Sequence, residues 1–318
     1  MRRIFRHLPS DTLRRPCALA IGNFDGVHLG HRKLIAGVVD AARTRNLLPA
    51  VVTFEPHPRE YFGSENLTRI IPLRDKIEAL FACGIERVYV LPFNSMMAEM
   101  SPEDFAKTFL YERLACRWVT VGENFRFGAG RAGDFARLAE LGRELGYEAV
   151  CARLITSSGQ TVSSSRIRQA IDSGDIAAAT EMLGHPLTLS GHVAHGAKLG
   201  RTIGFPTLNL SMHTPGSKAH CSLHGVYAVR VHGLQKTPLA AVTSVGIKPT
   251  VTNARKWLAE THVFDWKADA YGRLVSLEIV AKLRDEKKFS GLEELTQAIT
   301  RDCEKARALL GSPKRRYS

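Results

Sequence analysis

The sequence predicts a doubly wound, parallel α/β domain followed by an antiparallel β-barrel with a terminal helix. Three observations lead there. Short β-rich runs alternate with helical patterns through the first half, the order that builds a parallel sheet with helices on both faces. After Gly184-His185-Pro186 the strand-like runs follow one another with little helix between them, as in an antiparallel barrel. A last amphipathic stretch from Leu292 to Leu310 is then expected to pack on that barrel. With 318 residues, 44% of them hydrophobic, the chain can fill two cores. The boundary is expected near Leu183 to Leu187, giving domains 1–184 and 185–318.

Taken in order, strands are expected at Cys17 to Ile21, Ala50 to Phe54, Arg87 to Leu91 and Trp118 to Val121. Helices are expected at Leu29 to Arg45, Leu73 to Cys83, Pro102 to Cys116 and Asp134 to Leu145. Ser101-Pro102-Glu103-Asp104 is a helix start, with a capping serine, proline at the first helical position and acids in the first turn. In the second half, strands are expected at Leu187 to Val193, Gly225 to His232, Leu239 to Thr243, Thr261 to Phe264 and Leu274 to Leu283. The final helix puts Leu292, Leu295, Ile299, Cys303, Ala306 and Leu310 on one stripe.

Six cysteines, Cys17, Cys83, Cys116, Cys151, Cys221 and Cys303, lie scattered without a C-x-x-C pair. That spacing indicates neither a zinc site nor a disulfide framework and suits the reducing cytoplasm. The basic start from Met1 to His7 is followed by no apolar run, and no stretch reaches membrane-spanning length. A formal net charge of +13 suits nucleic acid, and equally suits sites for triphosphates and phosphorylated substrates. No RNA-binding motif appears, so the expected partners are small molecules, with neither nucleic acid nor membrane.

The run Gly22-Asn23-Phe24-Asp25-Gly26-Val27-His28-Leu29-Gly30-His31 follows a strand and opens a helix. Helix-start N–H groups carry partial positive charge, glycines let the chain approach an anion, and imidazoles one turn apart can donate to phosphate oxygens. Strand, H-x-G-H, helix therefore suggests nucleotidyl transfer, in which His28 and His31 hold phosphate charge rather than act as nucleophiles. H-x-G-H is shared by adenylyltransferases for several different phosphates. Val162-Ser163-Ser164-Ser165-Arg166-Ile167-Arg168 offers hydroxyls, helix-start amides and a planar cationic fork, or alternatively an ordinary serine cap beside a surface arginine. In Gly122-Glu123-Asn124-Phe125-Arg126-Phe127-Gly128, Asn124 could orient a phosphate or base while Phe125 or Phe127 stacks on a ring or packs into the core. Thr53-Phe54-Glu55-Pro56-His57-Pro58 is either a further binding loop or a turn enforced by its prolines.

A second dense stretch runs from Gly191 to Asn209. It lacks the G-K-[ST] ending of a P-loop, yet Gly196, Lys198, Gly200, Arg201, Gly204 and Pro206 can still fold over phosphates. Thr207 and Asn209, two apart on an extended segment, share a face and offer neutral oxygens to a hard cation such as Mg²⁺ on ATP. A kinase acting on an alcohol needs a base, and Glu260 at the head of a strand-like run is the acid chosen.

Together the segments GNFDGVHLGH, TFEPHP, GENFRFG, SSSRIR, GRTIGFPTLNL, GVYAV, VGIKPT, ETHVFD and LRDEKKF, in this order, resemble the prokaryotic bifunctional riboflavin kinase/FMN adenylyltransferase (FAD synthetase) family over essentially the whole chain. The resemblance implies a Rossmann-like nucleotidyltransferase domain and a riboflavin kinase barrel. It further implies that riboflavin is phosphorylated at its 5′-hydroxyl to FMN, that AMP passes from a second ATP to FMN to give FAD, and that both steps use Mg²⁺. Carried over, the adenylyl-transfer ATP site is His28, His31, Asn124, Ser164, Ser165 and Arg168, with Gly22, Asn23 and Phe24 in its loop. The kinase site is Thr207, Asn209 and Glu260. Asn124 stands where many members carry aspartate, and Ser165 where threonine is usual. The segment Lys267 to Gly272 lacks a usual glycine and leucine near the flavin.

Overall fold

The computed structural model describes residues 1–63, 67–153, 156–157, 160–196, 200, 203–211, 220–249 and 255–311. The chain divides into two compact units, Met1–Leu67 with Lys76–Ser163, and Thr68–Asp75 with Ser164–Pro215 and His220–Ser318.

The first unit is built on a sheet of β1 (Arg3–Phe5), β2 (Cys17–Ile21), β3 (Leu48–Phe54), β4 (Arg87–Leu91), β5 (Cys116–Gly122) and β6 (Glu148–Ala152). Their spatial order is β1-β4-β3-β2-β5-β6, and every pairing is parallel. Strands β2 and β4 are buried at every position, which is why they read as unbroken apolar runs rather than alternating ones. Helices α1 (Leu29–Arg45), α2 (Leu73–Ala82) and α3 (Phe135–Leu145) follow β2, β3 and β5. The order reverses between β2 and β5, and the crevice beyond the carboxyl ends of such a pair is where open α/β sheets take ligands.

Ser101 caps its helix as expected, accepting from the Asp104 N–H at 3.0 Å. The helix ends sooner than the sequence suggests. Its turns widen to π spacing over Phe105–Arg113, and Ala115, at φ +52°, breaks the run, so Cys116 opens β5 instead of closing the helix. The edge strands β1 and β6 were not anticipated, because both are short and neither is buried along its length.

The second unit contains α4 (Ser164–Asp172), α5 (Ile176–Leu183) and a closed barrel of β7 (Thr188–Ala194), β8 (Leu208–Ser211), β9 (Gly225–His232), β10 (Leu239–Pro249), β11 (Arg255–Val263) and β12 (Leu274–Arg284). Around the barrel the order is β7-β8-β11-β10-β9-β12 and back to β7, antiparallel throughout. Strands β10 and β11 run well past the expected Leu239 to Thr243 and Thr261 to Phe264.

The terminal helix α6 (Leu292–Leu310) lays Cys303, Ala306 and Leu310 against Val226, Ala228, Val242 and Phe264 of the barrel unit. Leu292 departs from the expected stripe, being 69% exposed at the helix start.

Candidate functional site

In the first unit the chain leaves β2 through a turn that the right-handed backbone cannot make without cost. Phe24, Gly26 and Val27 have φ of +49°, +83° and +42°, and Val27 is β-branched, a residue type that rarely adopts such values. Phe24 and Val27 are nonetheless buried, so the turn is pinned by its own side chains. It delivers His28 as the N-cap of α1, with Nδ1 accepting from the His31 N–H at 3.4 Å. The two imidazoles stack with centroids 3.6 Å apart and planes 21° from parallel. A Cβ on Gly30 would stand 3.1 Å from the His28 ring, which explains the glycine of H-x-G-H.

Burial, reinforced by neighbouring His28 and Lys76, holds the His31 imidazole well below its ordinary pKa. Its Nδ1 is enclosed and has no hydrogen-bond partner among the described residues. A bare lone pair is less costly there than an enclosed N–H, which places the proton on Nε2. His28 reaches the same tautomer because its Nδ1 accepts. Two Nε2–H donors thus stand beside the first-turn amides of α1, whose positive end has no acidic residue in its first turn.

At the carboxyl end of β5, Asn124 is exposed and Phe125 half-buried. Phe127 belongs to the core: it packs on Phe105 at 5.1 Å, and a Cβ on Gly133 would stand 2.6 Å from its ring. Phe125 stacks on Phe127 at 5.6 Å. In the TFEPHP segment, His57 caps the helical turn Pro58–Tyr61, accepting from the Arg59 N–H at 3.0 Å, as a proline-made turn requires.

Sequence reasoning missed Lys76. Its ammonium, 4% exposed, donates to the Asn23 carbonyl at 3.0 Å and to Thr53 Oγ1 at 3.3 Å. The available signal was a lysine on the apolar stripe of α2, between Leu73 and Leu80 and beside Ile77. In the second unit, α4 presents Ser164 half-buried and Ser165 exposed in its first turn, and Arg168 donates through Nε to the Thr68 carbonyl at 2.8 Å.

The barrel assembles the other candidate residues by register. Asn209 on β8 is paired with Glu260 on β11, and Glu260 with Ser244 on β10, so three polar residues form one row across adjacent strands. Asn209 is buried, and a Cβ on Gly196 would occupy the volume of its amide. Gly200 accepts from the Phe205 N–H at 2.7 Å and Gly204 has φ +84°, shaping the approach to Pro206 and Thr207. His262, two residues beyond Glu260, bonds the Pro206 carbonyl through Nδ1 at 2.9 Å, and burial lowers its pKa. Lys198 and Arg201 lie outside the described residues.

Thr207, Ser244, Glu260 and His262 line a cavity of about 380 Å³. Its other walls include Phe289, Leu295 and Ile299 and the ion pair Arg284–Asp302, whose three N–O distances are 2.8, 2.9 and 3.1 Å. An apolar hollow with polar groups gathered in its wall suits a flat, partly polar molecule. The side-chain oxygens of Thr207 and Asn209 are hard donors, and the close seat of Gly196 on Asn209 fixes one of them. This set fits a magnesium ion that takes its remaining ligands from substrate phosphates. Among the described residues no group of three or more His, Cys, Asp or Glu could hold a metal alone.

Comparison with known proteins matches residues 10–166 to the FAD synthetase family and 183–310 to the riboflavin kinase family. The chain is 40% identical over 309 residues to the bifunctional riboflavin kinase/FMN adenylyltransferase of Escherichia coli strain K12, covering 97% of each chain. It is 38% identical to the Haemophilus influenzae protein of the same name, covering 93% of this chain and 95% of that one. A solved structure titled a macrolide-efflux protein, from Streptococcus pneumoniae, superposes with a TM-score of 0.73 at 27% identity, over 96% of this chain and 98% of that one. No helix among the described residues is long and apolar enough to cross a membrane. Two ordered family matches and 40% identity along nearly the full length place this chain in the bifunctional riboflavin kinase/FMN adenylyltransferase family.

Proposed function

We propose that this chain carries out both reactions of its family. ATP phosphorylates riboflavin to FMN, and a second ATP gives its AMP to FMN, yielding FAD and pyrophosphate. Residues 185–318 carry the first reaction and residues 1–184 the second. The single observation that carries the reading is the row Asn209, Glu260, Ser244, of which Glu260 and Ser244 line the cavity of the barrel unit together with Thr207.

Glu260 takes the proton of the 5′-hydroxyl as that oxygen attacks the γ-phosphorus, and ADP leaves in line. Thr207 and Asn209 would hold magnesium, which when bound would neutralise charge on the triphosphate. Gly196, Gly200, Gly204 and Pro206 shape the cover over the triphosphate, and Lys198 and Arg201 are assigned there on the family motif. In the first unit a phosphate oxygen of FMN attacks the α-phosphorus of ATP and pyrophosphate departs. His28, His31 and the α1 amides stabilise the growing charge, while Gly22, Asn23 and Phe24 shape their loop. Asn124, Ser164, Ser165 and Arg168 are assigned to the same nucleotide on the motif. Neither step needs a covalent enzyme intermediate. The cytoplasm is the proposed compartment, in keeping with six cysteines present as thiols.

Incubating the purified chain with riboflavin, ATP and Mg²⁺ and separating the flavins over time tests the reading. FMN followed by FAD is the expected course; riboflavin left unchanged would overturn the kinase half, and FMN that never becomes FAD the other half.

A further inference from the structure

We propose that Lys76 is a positioning residue for adenylyl transfer, fixing the Asn23 carbonyl and so holding the left-handed turn that aims the N-terminus of α1. The inference rests on the reading of His28 and His31 as phosphate donors. A lysine ammonium is costly to enclose and persists only where partners replace its water. Here Lys76 Nζ donates to the Asn23 carbonyl at 3.0 Å and to Thr53 Oγ1 at 3.3 Å, while Thr53 Oγ1 itself donates to the same carbonyl at 3.3 Å. Ammonium, hydroxyl and carbonyl form a closed triangle directly before Phe24, Gly26 and Val27, the positive-φ residues of this turn.

Backbone held in such regions survives only where its surroundings over-determine it. The Gly22 N–H donates to the Val52 carbonyl at 3.1 Å, which anchors one end of the turn, and the capping contact between His28 and His31 anchors the other. Asn23 lies between them, and its carbonyl is held by Lys76 and Thr53. Without the ammonium the Asn23–Phe24 peptide can rotate toward ordinary φ values. His28 would then lose the extended geometry of an N-cap, and the two Nε2–H donors would drift from the charge they are set to meet. Displacements of this order at a transfer site cost up to about 100-fold in rate. The contribution is to preorganisation, so it falls on kcat more than on KM.

The test uses the full chain, with FAD formation from supplied FMN and riboflavin phosphorylation measured on one preparation. Lys76→Met should lower kcat for FAD formation about 10- to 100-fold, change the KM values for ATP and FMN less than about threefold, and leave riboflavin phosphorylation at the parental rate. Lys76→Arg, which keeps a cation and its donors, should recover at least part of the lost kcat. Thr53→Val, which removes one corner of the triangle and keeps the side-chain shape, should lower kcat in the same direction by less and supplies the test if Lys76→Met fails to fold. Parental kcat in Lys76→Met, a loss confined to KM, or, with Lys76→Met unfolded, parental kcat in Thr53→Val would overturn the proposal. The double variant His28→Ala with His31→Ala separates the premise. If it makes FAD at the parental rate, the histidine reading fails; if it is inactive while Lys76→Met is unimpaired, only the Lys76 assignment fails.

Discussion

His28 and His31 stack ring on ring at 3.6 Å with the His28 Nδ1 accepting from the His31 backbone, an arrangement that two imidazolium cations could not share at that distance. Burial keeps the His31 imidazole neutral, and the pair is placed to donate through Nε2 to an arriving anion.

Stability should fall on mild acidification. Burial lowers the pKa of both His31 and His262 from the ordinary value near 6.5, so as the pH drops through 6.5 the unfolded chain binds protons that the folded chain refuses. Stabilisation from these groups is complete above that value and is lost below it. Urea midpoints should be lower at pH 5 than at pH 7.5, and His31→Gln with His262→Gln should flatten the difference. Carboxylates held low by partners, among them Glu103 and Asp285, add their own loss only at more acidic pH. An unchanged midpoint between pH 7.5 and 5 would contradict neutral, buried imidazoles.

Glu260→Gln should reduce FMN formation by at least about 100-fold, the range for a lost general base, while FAD formation from supplied FMN continues. Chromatography of the flavins reads both arms on one sample. Parental phosphorylation by this variant would remove the base assignment.

Gly30→Ala isolates the histidine stack. Alanine ordinarily favours a helix over glycine by about 1 kcal/mol, yet here its Cβ would stand 3.1 Å from the His28 ring. FAD formation should fall about tenfold, in keeping with sub-ångström misplacement, with riboflavin phosphorylation untouched. A rise in activity would show that the ring has room to move.

Asp302→Ala should destabilise the barrel unit by about 2 kcal/mol in urea titration. The aspartate side chain is 6% exposed and its Arg284 partner 27%, so the cost lies below the full value for an enclosed pair. Because the pair also lines the cavity, riboflavin affinity should weaken in the same variant. A change in unfolding free energy below about 0.5 kcal/mol would mean that water replaces the lost carboxylate at no cost.

Much of this was legible in residue order. The apolar blocks CALAI and RVYVL could only be strands buried on both faces, and Ser101-Pro102 could only begin a helix. The pairing of Asn209 with Glu260 was half legible: the Thr207/Asn209 spacing showed a shared face, but which strand lies opposite is a matter of barrel closure, and no local pattern encodes it. Phe127 illustrates the limit from the other side, since a loop aromatic reads alike whether it stacks on a ligand or on Phe105. Lys76 acts through partners at Asn23 and Thr53, and Asp302 meets Arg284 from another element. Such long-range bonds leave only the faint trace of a charged residue on an apolar stripe.

The barrel register also limits which changes of length β8 can accept. Side chains on a strand alternate between inside and outside, and Asn209 meets Glu260 only because β8 enters in phase with β11. One residue inserted between Thr207 and Asn209 would present Leu208, or the newcomer, to Glu260 and swing the amide to the opposite wall. Insertions and deletions in descendants of this chain should therefore collect upstream of Gly204, and the spacing from Thr207 to Asn209 should behave as a fixed ruler.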